Sequence, residues 1–303
     1  MRGNVYAMLL GFAIFTGTTF NIAKFSVHYF SPASAAAWRF GIAAVLMLFI
    51  LGIQKKIRWN IVRKYGGIYT ILGIIGVFGF NSFFFFGMMD TSALNGALIM
   101  ATNPLLTTIL AVFILKTPLT RKQIAGIIFA LIGVILVLTQ GSLEVINTLS
   151  ISKGDLFILL GNLCWALYGV LGRKYLKQSS SMETTTYTML IGALFLIVLS
   201  AFLPNPQPLL KVPLTAWLAI LFMAIFTSVL GYLWWNKAME TIGAANTSVF
   251  FNLVPVVTMI FSIIIGTPVS IFHILGTILV ILGVLISTGF IKLKKATNFQ
   301  PEM

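Results

Sequence analysis

Met89-Asp90-Thr91 returns 150 residues later as Met239-Glu240-Thr241. Working outward from that pair, Thr117-Pro118 with Gly126 and Gly133 returns as Thr267-Pro268 with Gly276 and Gly283. Asn95 stands nine residues before Pro104, and Asn246 stands nine before Pro255. Leu9-Leu10-Gly11 matches Leu159-Leu160-Gly161. The chain is therefore a duplication. If each copy crosses a membrane an odd number of times, the second must sit inverted relative to the first, the arrangement on which alternating access is built in secondary transporters.

Composition supplies the membrane. Of 303 residues, 59% are hydrophobic and only 9% charged, with a mean hydropathy of +1.02. A soluble chain of this length has too little interior to hide that much apolar surface. Ten apolar stretches, near 4–24, 32–53, 66–88, 93–115, 120–139, 154–173, 186–203, 214–237, 243–266 and 271–291, each approach the length that spans a bilayer. The predicted fold is an all-α integral membrane protein of ten transmembrane helices in two inverted five-helix repeats. The first repeat occupies 1–140, an external linker 141–153, the second repeat 154–291 and a tail 292–303.

The net charge of +14 is explained by its placement. Sixteen Lys and Arg residues fall at one set of loops and ends, against Lys24, Lys153 and Lys211 on the other. The positive-inside rule then places both termini in the cytoplasm of a multi-pass bacterial inner-membrane protein. It also removes any need for a nucleic-acid partner. The opening Met1-Arg2-Gly3-Asn4 and its apolar run read as the first helix, because no small-residue cleavage site follows and the repeat needs the segment. Cys164 is the single cysteine, so no disulfide framework exists.

Ser31-Pro32 through Trp38-Arg39-Phe40 opens the second helix, Asn103-Pro104 lies in the fourth, and Thr117-Pro118-Leu119-Thr120 leads to Gly126 and on to a Leu-Ile-Gly-Val run ending at Val134. In these features the chain resembles the EamA-type branch of the drug/metabolite transporter superfamily, over nearly its whole length and in two copies. The resemblance implies a central cavity between five-helix halves, walled largely by the third, fourth, eighth and ninth helices. One departure is visible. The family's Gly-Glu pair at the ends of the fourth and ninth helices is replaced here by Lys116-Thr117 and Gly266-Thr267.

Several residues are candidates for substrate contact. Pro104 and Pro255 read as mid-helix kinks that strand the carbonyls of Met100 and Phe251, and broken backbone at membrane depth belongs against protein or a watery cavity. Asn103 and Asn252 lie within a turn of those kinks. Thr16 and Thr19 share a face of the first helix with Phe12, and Tyr168 lies on the sixth near Asn162 and Trp165. Asn81 precedes four consecutive phenylalanines in the third helix, and Tyr232, Trp235 and Asn236 stand in its repeat partner. Tyr232 and Asn236, one turn apart, form the preferred cavity pair. Interhelical hydrogen bonding explains the first- and sixth-helix residues as well as substrate contact does. For Asn103 the alternative is a kink satisfied by neighbouring Ser and Thr, for Asn252 cavity lining leads, and the aromatics near helix ends also suit an interfacial belt. Arg39 lies about two turns inside the second helix, where it either snorkels to the surface in a structural role or binds a substrate carboxylate. Gly126, Ala130, Gly133, Gly276 and Gly283 mark close helix packing, static or sliding.

Absences narrow the function. All six acidic residues fall in loops, at helix ends or in the tail, which removes the mid-membrane carboxylate a cation–proton exchanger needs. Arg39 alone is too little positive charge for a phosphorylated solute. His28 and His273 have no partner at metal-ligand or triad spacing, so neither metal, cofactor nor catalytic residue is expected. What remains suits a small neutral or zwitterionic solute, and amino-acid export is the leading expectation. A flippase for a lipid-linked precursor and a non-transporting membrane scaffold are the rivals. A homodimer stays open.

Overall fold

The computed structural model describes residues 2–54, 57–116, 120–139, 141 and 152–287. They form ten helical rods, and no strand occurs among the described residues. In chain order these are α1 (Arg2–Ser26), α2 (Pro32–Ile53), α3 (Trp59–Asp90), α4 (Ala93–Leu115), α5 (Arg121–Thr139), α6 (Lys153–Tyr175), α7 (Ser181–Phe202), α8 (Leu214–Ile242), α9 (Ala244–Ser248 continuing through Val249–Asn252 to Leu253–Ile264) and α10 (Ile271–Ser287). Seven of them (α1–α4 and α6–α8) are long and apolar enough to cross a membrane, and α5, α9 and α10 contain shorter apolar helices. The third rod starts at Trp59 rather than near 66, the seventh at Ser181 rather than near 186, and the eighth runs on to Ile242. Ser180 explains one of these shifts: with Glu183 it forms a capping box that starts α7 early. Ser31 and Ser92 cap α2 and α4, accepting from the amides of Ser34 and Asn95.

The duplication is written into the backbone. A π-helical segment interrupts α3 at Gly73–Gly79 and α8 at Met223–Gly231. α4 breaks at Ala101-Thr102, and α9 tightens to a 3-10 turn at Val249–Asn252. Pro104 therefore sits in the first turn of a new helical segment, Asn103–Leu115, where its missing N–H costs nothing, rather than kinking a continuous helix. Lys116 and Gly266, again 150 apart, both end their helices in the left-handed region, with φ 56° and 77°. The neighbouring Thr117-Pro118-Leu119, the linker residues 142–151 and the tail 292–303 lie outside the described residues.

The two halves meet most extensively between α5 and α10. A Cβ on Gly276 would lie 2.8 Å from the Gly133 carbonyl oxygen and 2.1 Å from a Val137 methyl, and one on Gly133 would lie 2.8 Å from the Gly276 carbonyl oxygen. Glycine is what lets these backbones touch, the packing mode that replaces the hydrophobic effect in lipid.

A second symmetric device ties the first helix of each half to the third. Lys24 Nζ donates to the carbonyls of Met88 and Met89 at 2.9 and 3.0 Å, near the end of α3. Arg173 Nη1 donates to those of Met239 and Glu240 at 2.9 and 3.4 Å, near the end of α8. Each cation occupies the negative end of a helix dipole and satisfies carbonyls that have no intrahelical partner. α6 runs from one latch to the other. Its start touches the end of α3 through Ser152 on the Asp90 carbonyl and Thr91 on Asp155, and its last turn carries Arg173.

The left-handed pair gives a reciprocal test. Lys116 bears a side chain where glycine is favoured, so Lys116→Gly should raise stability by about 1 kcal/mol, offset in part by chain entropy. Gly266 has open space around its Cα, so Gly266→Ala should lower stability through backbone strain alone. Thermal unfolding in detergent should shift upward for the first and downward for the second; shifts of the same sign would refute the pairing.

Candidate functional site

The sequence brings polar residues to the centre through its two irregular helices. Widening of α8 into a π segment turns Thr227 and Ser228 inward. Thr227 meets Thr19 of α1 hydroxyl to hydroxyl at 2.6 Å, and Ser228 Oγ accepts from Nε of Arg39 at 2.8 Å. The matching π segment of α3 presents the Gly76 carbonyl to Tyr232 Oη at 3.1 Å. Asn81 Nδ2 donates to the same Tyr232 hydroxyl at 3.2 Å.

These groups surround a small central chamber of about 30 Å³. Thr16, Thr19, Arg39, Thr227 and Tyr232 supply its polar wall, and Phe12, Phe20, Phe80, Phe84, Met100, Trp165 and Phe251 the apolar one. Arg39 is 2% exposed and lies under Phe40 and Phe85, its guanidinium carbon 5.0 and 5.9 Å from the ring centroids. It does not snorkel. Arg39 lies on the buried face of α2 with Ala35, Ala36, Phe40 and Ala43, and Ser228 stands within reach, so the side chain turns into the protein rather than along the lipid. Among the buried polar atoms at and beside this chamber, Thr16 Oγ1, Trp165 Nε1, Trp235 Nε1, Asn81 Oδ1 and both amide atoms of Asn252 have no hydrogen-bond partner. Buried groups of this kind are normally paired, so their presence at and beside the chamber makes it the candidate site for a polar ligand or ordered water.

Toward the last turn of α6 the protein opens into a vestibule of about 730 Å³. Lys116, Arg173, Lys174 and Lys177 make its mouth basic, and Tyr168, Thr184 and Asn236 lie on its wall. An adjoining recess of about 720 Å³ shares Ser181 and adds Arg58 and Lys237. Arg58 pairs with Glu183 there, and that hydrogen-bonded carboxylate holds the guanidinium pKa above its usual value. One aromatic layer separates vestibule from chamber. Tyr168 faces the vestibule, and its ring lies 5.6 Å from Trp165 and 6.0 Å from Tyr232, which face the chamber and stand 4.7 Å from each other. Asn236 Nδ2 pins the layer by donating to Tyr168 Oη at 2.8 Å and Thr185 Oγ1 at 2.9 Å.

The opposite end is shut. Asn21 of α1 donates to the Thr258 carbonyl of α9 at 3.2 Å and accepts from Ser262 Oγ at 3.0 Å, and Thr258 Oγ1 donates to the Gly17 carbonyl at 2.8 Å. A Cβ at Gly17 would stand 2.6 Å from Val257 and 2.9 Å from the Val254 carbonyl oxygen, so its absence lets the helices close. Ser31 N–H donates to Asn205 Oδ1 at 3.0 Å across the same end. At the repeat-equivalent positions of the open end stand Leu171 and Val112, which carry no polar side chain.

The candidates thus separate into groups. Thr16, Thr19, Arg39 and Tyr232 line the chamber, while Tyr168 and Asn236 line the vestibule, so Tyr232 and Asn236 lie on two sides of the aromatic layer instead of forming one pair. Trp235 backs the chamber through Phe12, Trp165 and Phe251, with ring centroids at 4.9, 5.5 and 5.0 Å. Asn252 follows the chamber residue Phe251 and is 4% exposed. Asn81 reaches the chamber only through Tyr232. Asn103 is spoken for: its Nδ2 donates to Asn162 Oδ1 at 2.8 Å and its Oδ1 accepts from Thr107, which makes it glue between α4 and α6. Pro255 lies just beyond the 3-10 turn that carries Asn252. Thr227, Ser228 and the chamber face of Trp165 had no signal in the sequence beyond their repeat position.

No group of His, Cys, Asp and Glu among the described residues could hold a metal, and no acidic side chain lines the chamber. A bundle of apolar helices with a buried polar centre defines a multi-pass membrane protein built around a solute site. The model of the EamA-like transporter family matches residues 3–139 and again 152–289, and the chain belongs to that family. It is 60% identical over 292 residues to "Uncharacterized transporter YyaM" of Bacillus subtilis (strain 168), covering 96% of each chain. It is 27% identical over 288 residues to "Probable amino-acid metabolite efflux pump" of Salmonella typhimurium, covering 90% of this chain and 91% of that one. A solved crystal structure with 19% identity superimposes at a TM-score of 0.70 over 94% of this chain and 97% of that chain, which shows the shared fold. The chain is a membrane transporter, of the cell membrane in bacteria, and nothing in its family points to an enzyme.

The α1–α9 seal should govern which end is open. An interhelical hydrogen bond in lipid is worth about 0.6–1.7 kcal/mol, so Ser262→Ala should raise the population opened at that end severalfold. In a Cys164→Ala background, a cysteine placed at Ile22 should react faster with a membrane-impermeant thiol reagent when Ser262→Ala is added. Equal labelling rates would show that the seal does not set the equilibrium.

Proposed function

We propose that the chain is a secondary transporter that moves small neutral or zwitterionic metabolites, foremost amino acids, outward by alternating access. Its ten rods cross the membrane as two inverted five-helix repeats with both termini in the cytoplasm, so the basic vestibule opens to the cytoplasm and the Asn21–Ser262 seal closes the outside. The observation that carries this reading is the chamber itself: unpartnered polar atoms and a buried arginine, enclosed by aromatic rings, one layer away from a vestibule wide enough to admit a solute. The name carried by the Salmonella relative supports the solute class.

In this state the solute enters from the cytoplasm through the vestibule, the Tyr168–Trp165–Tyr232 layer yields, and the chamber widens around it. Closure of α4 on the last turns of α6, with release of the α1–α9 bonds, then exposes the site to the other side. The latches at Lys24 and Arg173 keep each first helix moving with the third helix of its own repeat.

Counterflow tests the proposal directly. Proteoliposomes preloaded with unlabelled amino acids should take up labelled phenylalanine, leucine or threonine above protein-free vesicles without an ion gradient. Thr16→Val, which removes an unpaired group of the chamber wall, and Asn252→Ala, which removes the unpaired amide next to Phe251, should each cut the rate by roughly five- to tenfold, the size of one lost ligand hydrogen bond. No uptake by folded protein would end the amino-acid reading.

A further inference from the structure

Resting on that transport reading, we propose that the chamber recognises its solute by a carboxylate held on the guanidinium of Arg39, and that a solute amino group is tolerated but not required. Arg39 is buried on α2, and its only side-chain hydrogen bond to the described residues is from Nε to Ser228. The Nη1 and Nη2 groups, the pair that grips a carboxylate side-on, make none, although Arg39 is part of the chamber wall. No carboxylate among the described residues pairs with its charge. The described acidic residues are Asp90, Asp155, Glu183 and Glu240; the first two stand where α3 ends and α6 begins, and the last two at the vestibule end. Flanking phenylalanine faces soften an uncompensated guanidinium at this depth without neutralising it.

The remaining free groups fit the same assignment. Trp165 Nε1 is a donor only and Thr16 Oγ1 can donate, and both stand unpaired in the chamber wall. An ammonium group finds no carboxylate among the described residues and only neutral acceptors: Thr16 Oγ1 in the wall, Asn81 Oδ1 and Asn252 Oδ1 beside it, with ring faces otherwise. Ser228 acts through Arg39: holding Nε fixes the plane of the guanidinium so that its outer edge is presented to the ligand, which makes Ser228 a positioning residue. The ligand class is therefore a monocarboxylate with an apolar or aromatic body, whether or not it carries an α-amino group.

The test uses four probes of one shape: phenylalanine, 3-phenylpropanoate, phenylalaninamide and phenethylamine. Binding to purified full-length protein is read from tryptophan fluorescence, since Trp165 and Trp235 border the chamber, and each probe also competes in counterflow. Phenylpropanoate should bind within about tenfold of phenylalanine, and the two probes without a carboxylate should bind more than tenfold weaker. Ser228→Ala should weaken both carboxylates severalfold and leave the amide and amine unchanged, a split that general destabilisation would not produce. Arg39→Gln, if folded by size-exclusion profile, should abolish the preference. Amine or amide binding equal to the acids would overturn the anchor, as would carboxylate affinity unchanged by both substitutions. Phenylpropanoate binding without any amino-acid counterflow would keep the anchor and remove the amino-acid transport reading, so the two fail separately.

Discussion

Hydrocarbon offers no hydrogen bonds, and every backbone amide and carbonyl in this chain must be satisfied from within. That constraint makes the bulk of the structure regular helix and confines irregular backbone to places sheltered by protein. The irregular places here are the π segments at Gly73–Gly79 and Met223–Gly231, the break at Ala101-Thr102 and the 3-10 turn at Val249–Asn252. All lie in α3, α4, α8 and α9, four of the seven helices that line the central chamber. Tyr232 satisfies the Gly76 carbonyl in one π segment, the other supplies Thr227 and Ser228, and Met100 and Phe251 beside the two breaks are chamber residues. The site exists where the demands of lipid on the backbone are relaxed.

The same duplication that supplies matched irregularities would, under alternating access, also supply two related states. The backbones correspond element by element, down to the left-handed residues at Lys116 and Gly266, while the side chains that decide closure differ. Asn21 and Ser262 bond across one end, and Leu171 and Val112 occupy the corresponding places at the other without a bond to offer. On the proposed alternating-access reading, a symmetric fold with asymmetric seals would have two related arrangements of unequal energy, the hydrogen bonds at one end favouring the conformation described. The α5–α10 contact, with glycine carbonyls facing glycines, is the pivot least able to change, because any separation there loses close backbone packing that nothing else replaces.

Much of the fold could be read directly from the chain. Repeats at a fixed spacing and hydropathy runs are one-dimensional signals, and the family match to residues 3–139 and 152–289 falls on them. The π segments were not legible: Gly73, Gly76 and Gly79 mark the first, but Met223–Gly231 has an ordinary apolar sequence. Helical periodicity gives a residue's height and not which neighbour its face meets. Arg39 read from sequence has a path to the surface along its helix; only the position of Ser228, 189 residues later, shows why it turns inward. Asn103 looked like a free amide beside a proline until Asn162 stood opposite it. Lys24 counted as one charge among loops, and its role at the α3 carbonyls requires knowing where α3 ends.

The dimensions of the chamber carry a mechanistic consequence. At about 30 Å³ it is far below the several hundred Å³ that small-molecule pockets commonly provide, while the vestibule beside it is large enough. The Tyr168–Trp165–Tyr232 layer stands between the vestibule and Arg39, tied to α7 and α8 through Asn236 and to α3 through the bonds of Tyr232. On the proposed transport reading, occupying the chamber and moving α6 against α3, α7 and α8 are one event. A ligand shifts a conformational equilibrium only by its difference in affinity between the states. On the same reading that difference is built in, because among the described residues the donors of the chamber stand unpaired and the Arg39 charge unmatched.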